Sequence, residues 1–233
     1  MKPSIIKHCL LLSFIISATG GCKKESPAEY PLASLKIVNT ITGGQIAKLN
    51  SDPSQIWPAW YENFSLNAGD ADLYVWPETD SLHPYYVSNK TKLEPSGLYT
   101  LFLGGTPEEP ASIFVKESFP SRTDSTAAIR FINFSPNGPA VNVTLSTSPD
   151  VNEFFNVAYN AITEFKLFPA TSANTEYVFE VRDAGTNEVL ASLPMSGIDM
   201  WGFVPRFRYV TLVFYGNVGE TLGISRINHY NIP

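Results

Sequence analysis

Apolar and polar residues alternate along much of the chain in short runs, for example at residues 130–134 and 178–182. A period of two residues is typical of a β-strand that buries one face and exposes the other. Gly, Pro, Asn and Asp separate the runs, as expected of turns between strands. The best helical candidate follows Pro53, but Pro58 limits it to one turn. The pattern therefore predicts an all-β protein.

The C-terminal half contains closely spaced runs of this kind with no helical pattern between them. They span residues 128–135, 140–146, 154–159, 163–168, 176–183, 188–193, 207–215 and 222–230. Residues 184–187 have the composition of a tight turn, which predicts a hairpin between the flanking runs. This spacing is typical of an antiparallel β-sandwich or barrel.

The N-terminal half repeats the opening and closing strands of the C-terminal half. Two ungapped alignments show the repeat. In the first, residues 35–39 and Gly44 align with residues 129–133 and Gly138. In the second, residues 99–103 and Gly105 align with residues 210–214 and Gly216. We therefore predict two tandem antiparallel β-sandwich domains, at residues 34–120 and 127–233, joined by a polar linker at 121–126. The alternative is one domain, since all-β chains of this length can form a single fold.

Polar residues within the repeat have predictable positions. Asn39 and Asn133 end the first strand of each half, and we expect them to bond the backbone of the following turn rather than a ligand. Arg130 and Arg182 alternate with apolar neighbours, so we expect both on an outer, solvated face.

The first 21 residues have the features of an export signal. Lys2 and Lys7 precede an apolar run that ends near Ala18, too short for the ~20 residues of a spanning helix. The small residues before Cys22 resemble a bacterial lipobox, with Thr19 where Leu is usual. The resemblance implies that residues 1–21 are removed and that Cys22 is lipidated. The alternative is an ordinary secretory signal followed by an incidental cysteine.

Composition restricts the partners of the mature chain. Residues 22–33 are polar and contain prolines, which predicts a tether. The 16 Lys and Arg and 22 Asp and Glu give a net charge of −6, which becomes −8 when Lys2 and Lys7 are removed. This balance disfavours nucleic acid and anionic headgroups as partners. The other cysteine, Cys9, lies in the signal, so no internal disulfide is expected.

The sequence contains no recognisable catalytic or metal-binding pattern. His83 and His229 form no spaced pair, no Gly-x-Ser-x-Gly motif occurs, and Cys22 is the one thiol of the mature chain. The acidic pairs are in turn-like sequence and are expected to be solvated charges: Asp70 with Asp72, and Glu108 with Glu109. We therefore expect no enzyme activity, no cofactor and no metal.

An aromatic cluster is the strongest candidate for ligand contact. Trp57, Trp60 and Tyr61 flank Pro58 in a stretch outside the strand pattern, and loops on rigid scaffolds often carry recognition. Such rings can stack on sugars or on apolar partner side chains. The alternative is a satellite core, because large aromatics are usually buried. Trp76 lies in a strand run and is expected in the core.

Two short segments resemble the Asp-Ser/Thr-apolar acceptor motif of O-glycosylation in Bacteroidota. They are 124–126 and 80–82. Ser125 is the better candidate acceptor, because it lies in the predicted linker, where an enzyme can reach extended backbone.

Residues 128–143, 180–186 and 209–212 resemble the opening, middle and closing strands of a family of bacterial domains of unknown function, DUF4397. The chain has Asn142 where the family commonly has Asp. The resemblance implies an immunoglobulin-like β-sandwich, and its members are often envelope lipoproteins of Bacteroidota. It implies no activity.

Together these features favour a non-catalytic lipoprotein, exported and lipid-anchored in the cell envelope at the outer membrane. We expect an adhesion or scaffold module that contacts a glycan or an envelope protein. The first alternative is a glycan-binding component of an outer-membrane nutrient-uptake system. The second is a hydrolase that uses a pair of carboxylates.

Overall fold

The computed structural model describes residues 31–174, 176–196 and 206–229. The predicted signal peptide (1–21) and the lipidation candidate Cys22 lie outside these residues. Among the described residues the regular structure consists of 16 β-strands and no helix, which confirms the all-β prediction. No helix in this part of the chain has the length and apolarity needed to span a bilayer.

The N-terminal half contributes seven of the strands. They are β1 (Leu32–Asn39), β2 (Ala47–Leu49), β3 (Trp60–Asn67), β4 (Gly69–Pro77), β5 (Tyr86–Leu93), β6 (Leu98–Gly105) and β7 (Pro110–Glu117). The first strand begins inside the stretch expected to be the tether (22–33). Residues 118–125 contain no strand, and most of the predicted linker lies there. The division into separable domains stays a prediction.

The C-terminal half contributes the other nine strands. They are β8 (Thr126–Phe134), β9 (Val141–Leu145), β10 (Ser148–Val157), β11 (Ala161–Ile162), β12 (Lys166–Pro169), β13 (Glu176–Asp183), β14 (Val189–Ser196), β15 (Tyr209–Gly216) and β16 (Leu222–His229). Each predicted run overlaps one of these strands, and β13 has the predicted bounds. Two predictions are less accurate: β10 begins at Ser148 rather than Phe154, and the run predicted at 163–168 overlaps only β12, with β11 as a separate short strand. The antiparallel pairing of β13 with β14 confirms the hairpin at 184–187.

The described strands form four sheets, and none contains strands of both halves. Sheet I has the order β3-β1-β6-β7 and sheet II the order β2-β4-β5. Sheet III has the order β10-β9-β13-β14, and sheet IV has the order β11-β8-β15-β16, with β12 also paired to β8.

Sheets I and IV are mixed, because β1 pairs in parallel with β6 and β8 pairs in parallel with β15. The prediction of purely antiparallel sheets is wrong for these pairs. Alternation determines which face a residue occupies but not the direction of the neighbouring strand. The register agrees with the internal alignment, since Leu35 pairs with Tyr99 just as Ile129 pairs with Val210.

Each half has a core built from both of its sheets. In the N-terminal half, Leu35 and Ile37 of sheet I pack in one cluster with Leu73 and Val75 of sheet II. The equivalent cluster of the C-terminal half includes Phe131 and Leu212 of sheet IV and Val143 and Phe179 of sheet III. Burial of each such side chain contributes roughly 1.5–3 kcal/mol, so these clusters dominate the stability of the fold.

A third apolar cluster joins the two halves, and we call this region the junction. It contains Val38 and Phe102 of sheet I together with Ile132, Phe134, Val213 and Ile227 of sheet IV. A Cβ atom added at Gly104 would overlap the Phe134 ring, so the two halves approach closely there. The outer face of sheet I is thus partly covered by sheet IV.

Candidate functional site

Residues 57–60 form a tight turn, which we call the aromatic turn, and its last residue, Trp60, is the first residue of β3. The expectation that Trp60 and Tyr61 lie outside the strands is therefore wrong. The Trp60 amide donates to the Trp57 carbonyl oxygen over 3.2 Å. Pro58 fixes φ at the second position of the turn, and Ala59 at the third has a φ of 58°. Proline followed by a positive φ is the pattern of a type II turn. The local sequence therefore fixes the backbone between the two tryptophans.

The aromatic turn is attached to the rest of the molecule on both sides. Ile56 is fully buried and exchanges backbone hydrogen bonds of 2.9 Å with Ala47. The Ala59 amide donates to the Asn39 carbonyl oxygen over 2.7 Å. From the C-terminal half, the Ser225 hydroxyl donates to the Ala59 carbonyl oxygen over 3.1 Å. These bonds hold the turn without covering its indole rings.

Both tryptophans of the turn point to solvent. Trp57 is 55% exposed and Trp60 is 58% exposed. Tyr61 is partly buried, and its ring stacks on Trp60 with centroids 5.3 Å apart and planes 11° apart. Trp57 and Trp60 are therefore surface residues, unlike the satellite core considered as the alternative. Trp76, expected in the core, is partly buried, and its Nε1 donates to the Asn50 carbonyl oxygen.

Asn39 and Asn133 bond turn backbone, as predicted. Asn39 Nδ2 donates to the carbonyl oxygens of Gln45 and Ile56, and its Oδ1 accepts from the Ile41 amide. Asn133 makes the same set of bonds in the other half: its Nδ2 donates to Pro139 and Val157, and its Oδ1 accepts from Ser135. Both are structural residues.

All four residues of the acidic pairs are exposed, but the expectation of turn sequence is wrong for Asp70 and Asp72, which lie within a strand. Asp70 and Asp72 lie on β4, where Asp72 Oδ1 accepts from the Lys90 amide, and Glu108 and Glu109 lie between β6 and β7. No group of three or more His, Cys, Asp or Glu side chains in the described residues is arranged to hold a metal ion.

Ser125, the candidate O-glycosylation acceptor, is exposed immediately before β8. Its carbonyl oxygen accepts from the Ala170 amide over 2.7 Å, which fixes the backbone and leaves the side chain at the surface. The neighbouring Asp124 and Thr126 both bond the Arg122 guanidinium.

Arg130 is not on a solvated face, which corrects the expectation from alternation. Its side chain is 6% exposed and forms an ion pair of 2.6 Å with Glu117, which is 2% exposed. The outer face of sheet IV is covered by sheet I at the junction, so the alternating polar residue is buried rather than solvated. Arg182 also has a mostly buried side chain, 14% exposed, and pairs with Glu180.

A polar network extends from this pair. Arg130 Nε donates to the Thr211 hydroxyl over 2.9 Å, and Thr211 Oγ1 lies 2.8 Å from His229 Nε2. Burial, together with the nearby charges of Arg130 and Lys36, holds the pKa of His229 well below its usual value. The imidazole is therefore neutral at pH 7.

Lys36 lies on the same face of the junction. Its Nζ donates to the Asn228 carbonyl oxygen over 2.7 Å and lies 3.9 Å from the Tyr61 ring centroid. Desolvation lowers the pKa of Lys36 to about 8, although Glu117 and Glu62 act in the opposite direction. Sequence reasoning missed this set of residues. The one available signal was that Lys36 and Arg130 occupy aligned positions in the repeat.

The family model for DUF4397, a domain of unknown function, matches residues 59–144. The matched residues begin at Ala59 within the aromatic turn and end at Thr144 in β9, so they lie on both sides of the predicted linker. They include residues 128–143, but residues 180–186 and 209–212 lie beyond the match. No curated protein matches the chain.

Proposed function

We propose that the chain is a non-catalytic cell-envelope lipoprotein that binds an envelope partner through the aromatic turn. The exposure of Trp57 and Trp60, 55% and 58%, carries this proposal. Removal of an indole ring from water lowers the free energy, so neighbouring exposed rings on one surface commonly mark a contact site.

The attachment of the aromatic turn supports recognition rather than disorder. The backbone of Ala59 is bonded to Asn39 in its own half and to Ser225 in the other half. A partner that stacks on the rings therefore need not order the backbone, and less conformational entropy is lost on binding. Exposed rings held in this way make a preorganised contact surface.

A lipid on Cys22, which the sequence predicts, would hold this surface at the envelope. Residues 22–31 would connect the acyl chains to β1 as a short tether, most simply at the outer membrane. The net charge of −8 expected for the mature chain favours anchoring by the acyl chains over attraction to anionic headgroups. The partner would then be another envelope component, and the module would serve adhesion or scaffolding.

Glycan binding, within a nutrient-uptake system, is the second candidate. The Trp60 ring supports it, because Tyr61 stacks on one of its flat faces while Trp60 stays 58% exposed. Flat faces of this kind stack on the apolar CH faces of sugars and offer polar groups at their edges.

The test compares the wild type with the Trp57→Ala/Trp60→Ala variant on a glycan array and in pull-downs from solubilised envelope. We expect the variant to lose binding, while its free energy of unfolding changes by less than about 1 kcal/mol because both rings are exposed. Wild-type binding to a spot of the array would identify a glycan ligand. Recovery of one defined envelope protein with the wild type in the pull-down would identify a scaffold role.

The matched control is Phe155→Ala, which removes an aromatic ring that is 72% exposed on β10. This variant should bind like the wild type. Equal binding by wild type and Trp57→Ala/Trp60→Ala, or a large loss of stability in that variant, would contradict the proposal.

A further inference from the structure

A cavity of about 300 Å³ lies at the junction, on the part of sheet I that sheet IV leaves uncovered. This volume is at the lower end of the range for small-molecule sites, roughly 300–1,000 Å³. Its lining combines polar and apolar side chains from both halves, including Ser34, Lys36, Asn63, Leu98, Phe119 and His229. The cavity is distinct from the surface of the aromatic turn.

The floor of the cavity is fixed by strand register. Ser34 pairs with Leu98 and Lys36 with Thr100 on the neighbouring strands β1 and β6. These positions alternate with Leu35 and Tyr99, which belong to the core of the N-terminal half. Side chains at the lining positions therefore point away from that core and into the junction.

The two halves place different residues at equivalent positions around the junction. Lys36 and Arg130 are equivalent because they pair with Thr100 and Thr211 in the same parallel register. Glu117 and His229 are also equivalent, since they pair with Leu98 and Tyr209 on the adjacent strands.

Because one half has Glu117 where the other has His229, the two cations Lys36 and Arg130 have different partners. Arg130 pairs with the Glu117 carboxylate over 2.6 Å. Lys36 lines the cavity together with His229, which takes the place that Glu117 has beside Arg130. None of the ion pairs among the described residues includes Lys36. Its hydrogen bond goes to the neutral backbone carbonyl of Asn228. Glu117 also lines the cavity, but its carboxylate is paired with Arg130, so the mostly desolvated Lys36 ammonium has no carboxylate at ion-pair distance among the described residues.

We propose that this cavity binds a small organic carboxylate. The carboxylate group pairs with Lys36 Nζ, in the role that Glu117 has toward Arg130. The apolar body of the ligand packs on Leu98 and Phe119. A carboxylate balances the buried charge, whereas an uncharged ligand of the same shape leaves Lys36 unpaired.

The charged and titratable groups around Lys36 give this binding a pH dependence. Glu62 of β3 and Glu117 of β7 favour its charged form, and Arg130 of β8 is a second cation. His229 of β16 stays neutral above its usual pKa, so it does not add charge. Because the pKa of Lys36 is about 8, carboxylate affinity should fall as the pH rises from 7 to 9.

The experiment is calorimetric titration of the full chain with phenylacetate and hexanoate, and with their neutral amides phenylacetamide and hexanamide. We expect one saturable carboxylate site per chain and amides at least tenfold weaker. Lys36→Met should weaken the carboxylates by about tenfold or more, the loss typical of a charged hydrogen bond. Lys48→Met, which removes a lysine paired with Glu78 outside the cavity, is the control.

Ser65→Phe keeps the test decisive if Lys36→Met fails to fold, because Ser65 is an exposed lining residue and the added ring fills the cavity. It should abolish carboxylate binding. Trp57→Ala/Trp60→Ala should retain it, so failure of this proposal is distinguishable from failure of the proposed function. The proposal is overturned by equal affinities of acid and amide, by unchanged binding in the Lys36 or Ser65 variant, or by no saturable binding at millimolar concentration.

Discussion

Replacement of Glu117 by Gln removes the carboxylate that pairs with Arg130 at the junction. The two side chains are 2% and 6% exposed, so the guanidinium would remain in a site with little access to water. An arginine cannot escape this cost by deprotonation. We expect Glu117→Gln to lower the free energy of unfolding by about 3–5 kcal/mol, the range for removal of one partner from a buried ion pair.

The pair between Lys116 and Glu94 is the matched control, because its ion-pair distance is 2.7 Å but its side chains are 52% and 56% exposed. Glu94→Gln should change the free energy of unfolding far less, because solvent screens an exposed ion pair. Both variants can be compared with the wild type by chemical denaturation at pH 7.

A double variant, Glu117→Leu with Arg130→Met, separates the charge from the packing. Replacement of a buried ion pair by apolar residues is often neutral, so this variant should be more stable than Glu117→Gln by about 2 kcal/mol or more. The reasoning is refuted if Glu117→Gln costs no more than Glu94→Gln.

The remaining predictions concern the anchor, the halves and pH. Mass spectrometry of the native membrane protein should find lipid on Cys22 and no signal peptide, and an unmodified cysteine would refute the anchor. A fragment of residues 126–233 should unfold cooperatively but less stably than the whole chain, because it exposes its junction face; no transition would indicate one indivisible fold. Gly104→Val should destabilise the chain by about 1–3 kcal/mol through overlap with Phe134, and a neutral effect would contradict close packing of the halves. Since the pKa of His229 is lowered on folding, wild-type stability should fall by up to about 1.4 kcal/mol per pH unit as the pH drops below 6.5. The stability of His229→Gln should lack this pH dependence. Parallel stability-against-pH profiles of the variant and the wild type would exclude His229 as the cause.

The strands were predictable because their signal is local. Alternation at 178–182 required one buried face, and β13 has the predicted bounds, Glu176–Asp183. The internal alignment also placed Asn39 and Asn133 at equivalent strand ends, where both bond turn backbone. Alternation of apolar and polar residues indicates a strand and its buried face from only a few consecutive residues.

The junction was not predictable because its signal is not local. Arg130 alternates with apolar residues whether its face meets water or a second sheet, and sequence alone does not distinguish the two cases. Its partner Glu117 lies across the predicted linker, on a strand of the other half. The parallel pairs β1–β6 and β8–β15 were not predictable for the same reason, since the choice of partner strand depends on the whole fold.

The aromatic turn falls between these cases. The sequence placed Pro58 between two tryptophans as a candidate contact site, and the structure has a tight turn there with a positive φ at Ala59. The exposure of the rings depended on which neighbouring elements cover the turn. The sequence left that choice open between a contact surface and a satellite core.

Hydroxyl-radical footprinting in the native envelope tests the aromatic turn most directly, because it detects contact with any partner, identified or not. Oxidation of Trp57 and Trp60 would be measured by mass spectrometry in intact envelopes and in the purified protein, with Phe155 as the internal reference. If the turn is a contact surface, both tryptophans are protected in the envelope while Phe155 is oxidised equally in the two samples. Equal oxidation of Trp57 and Trp60 in both samples would contradict the proposed function.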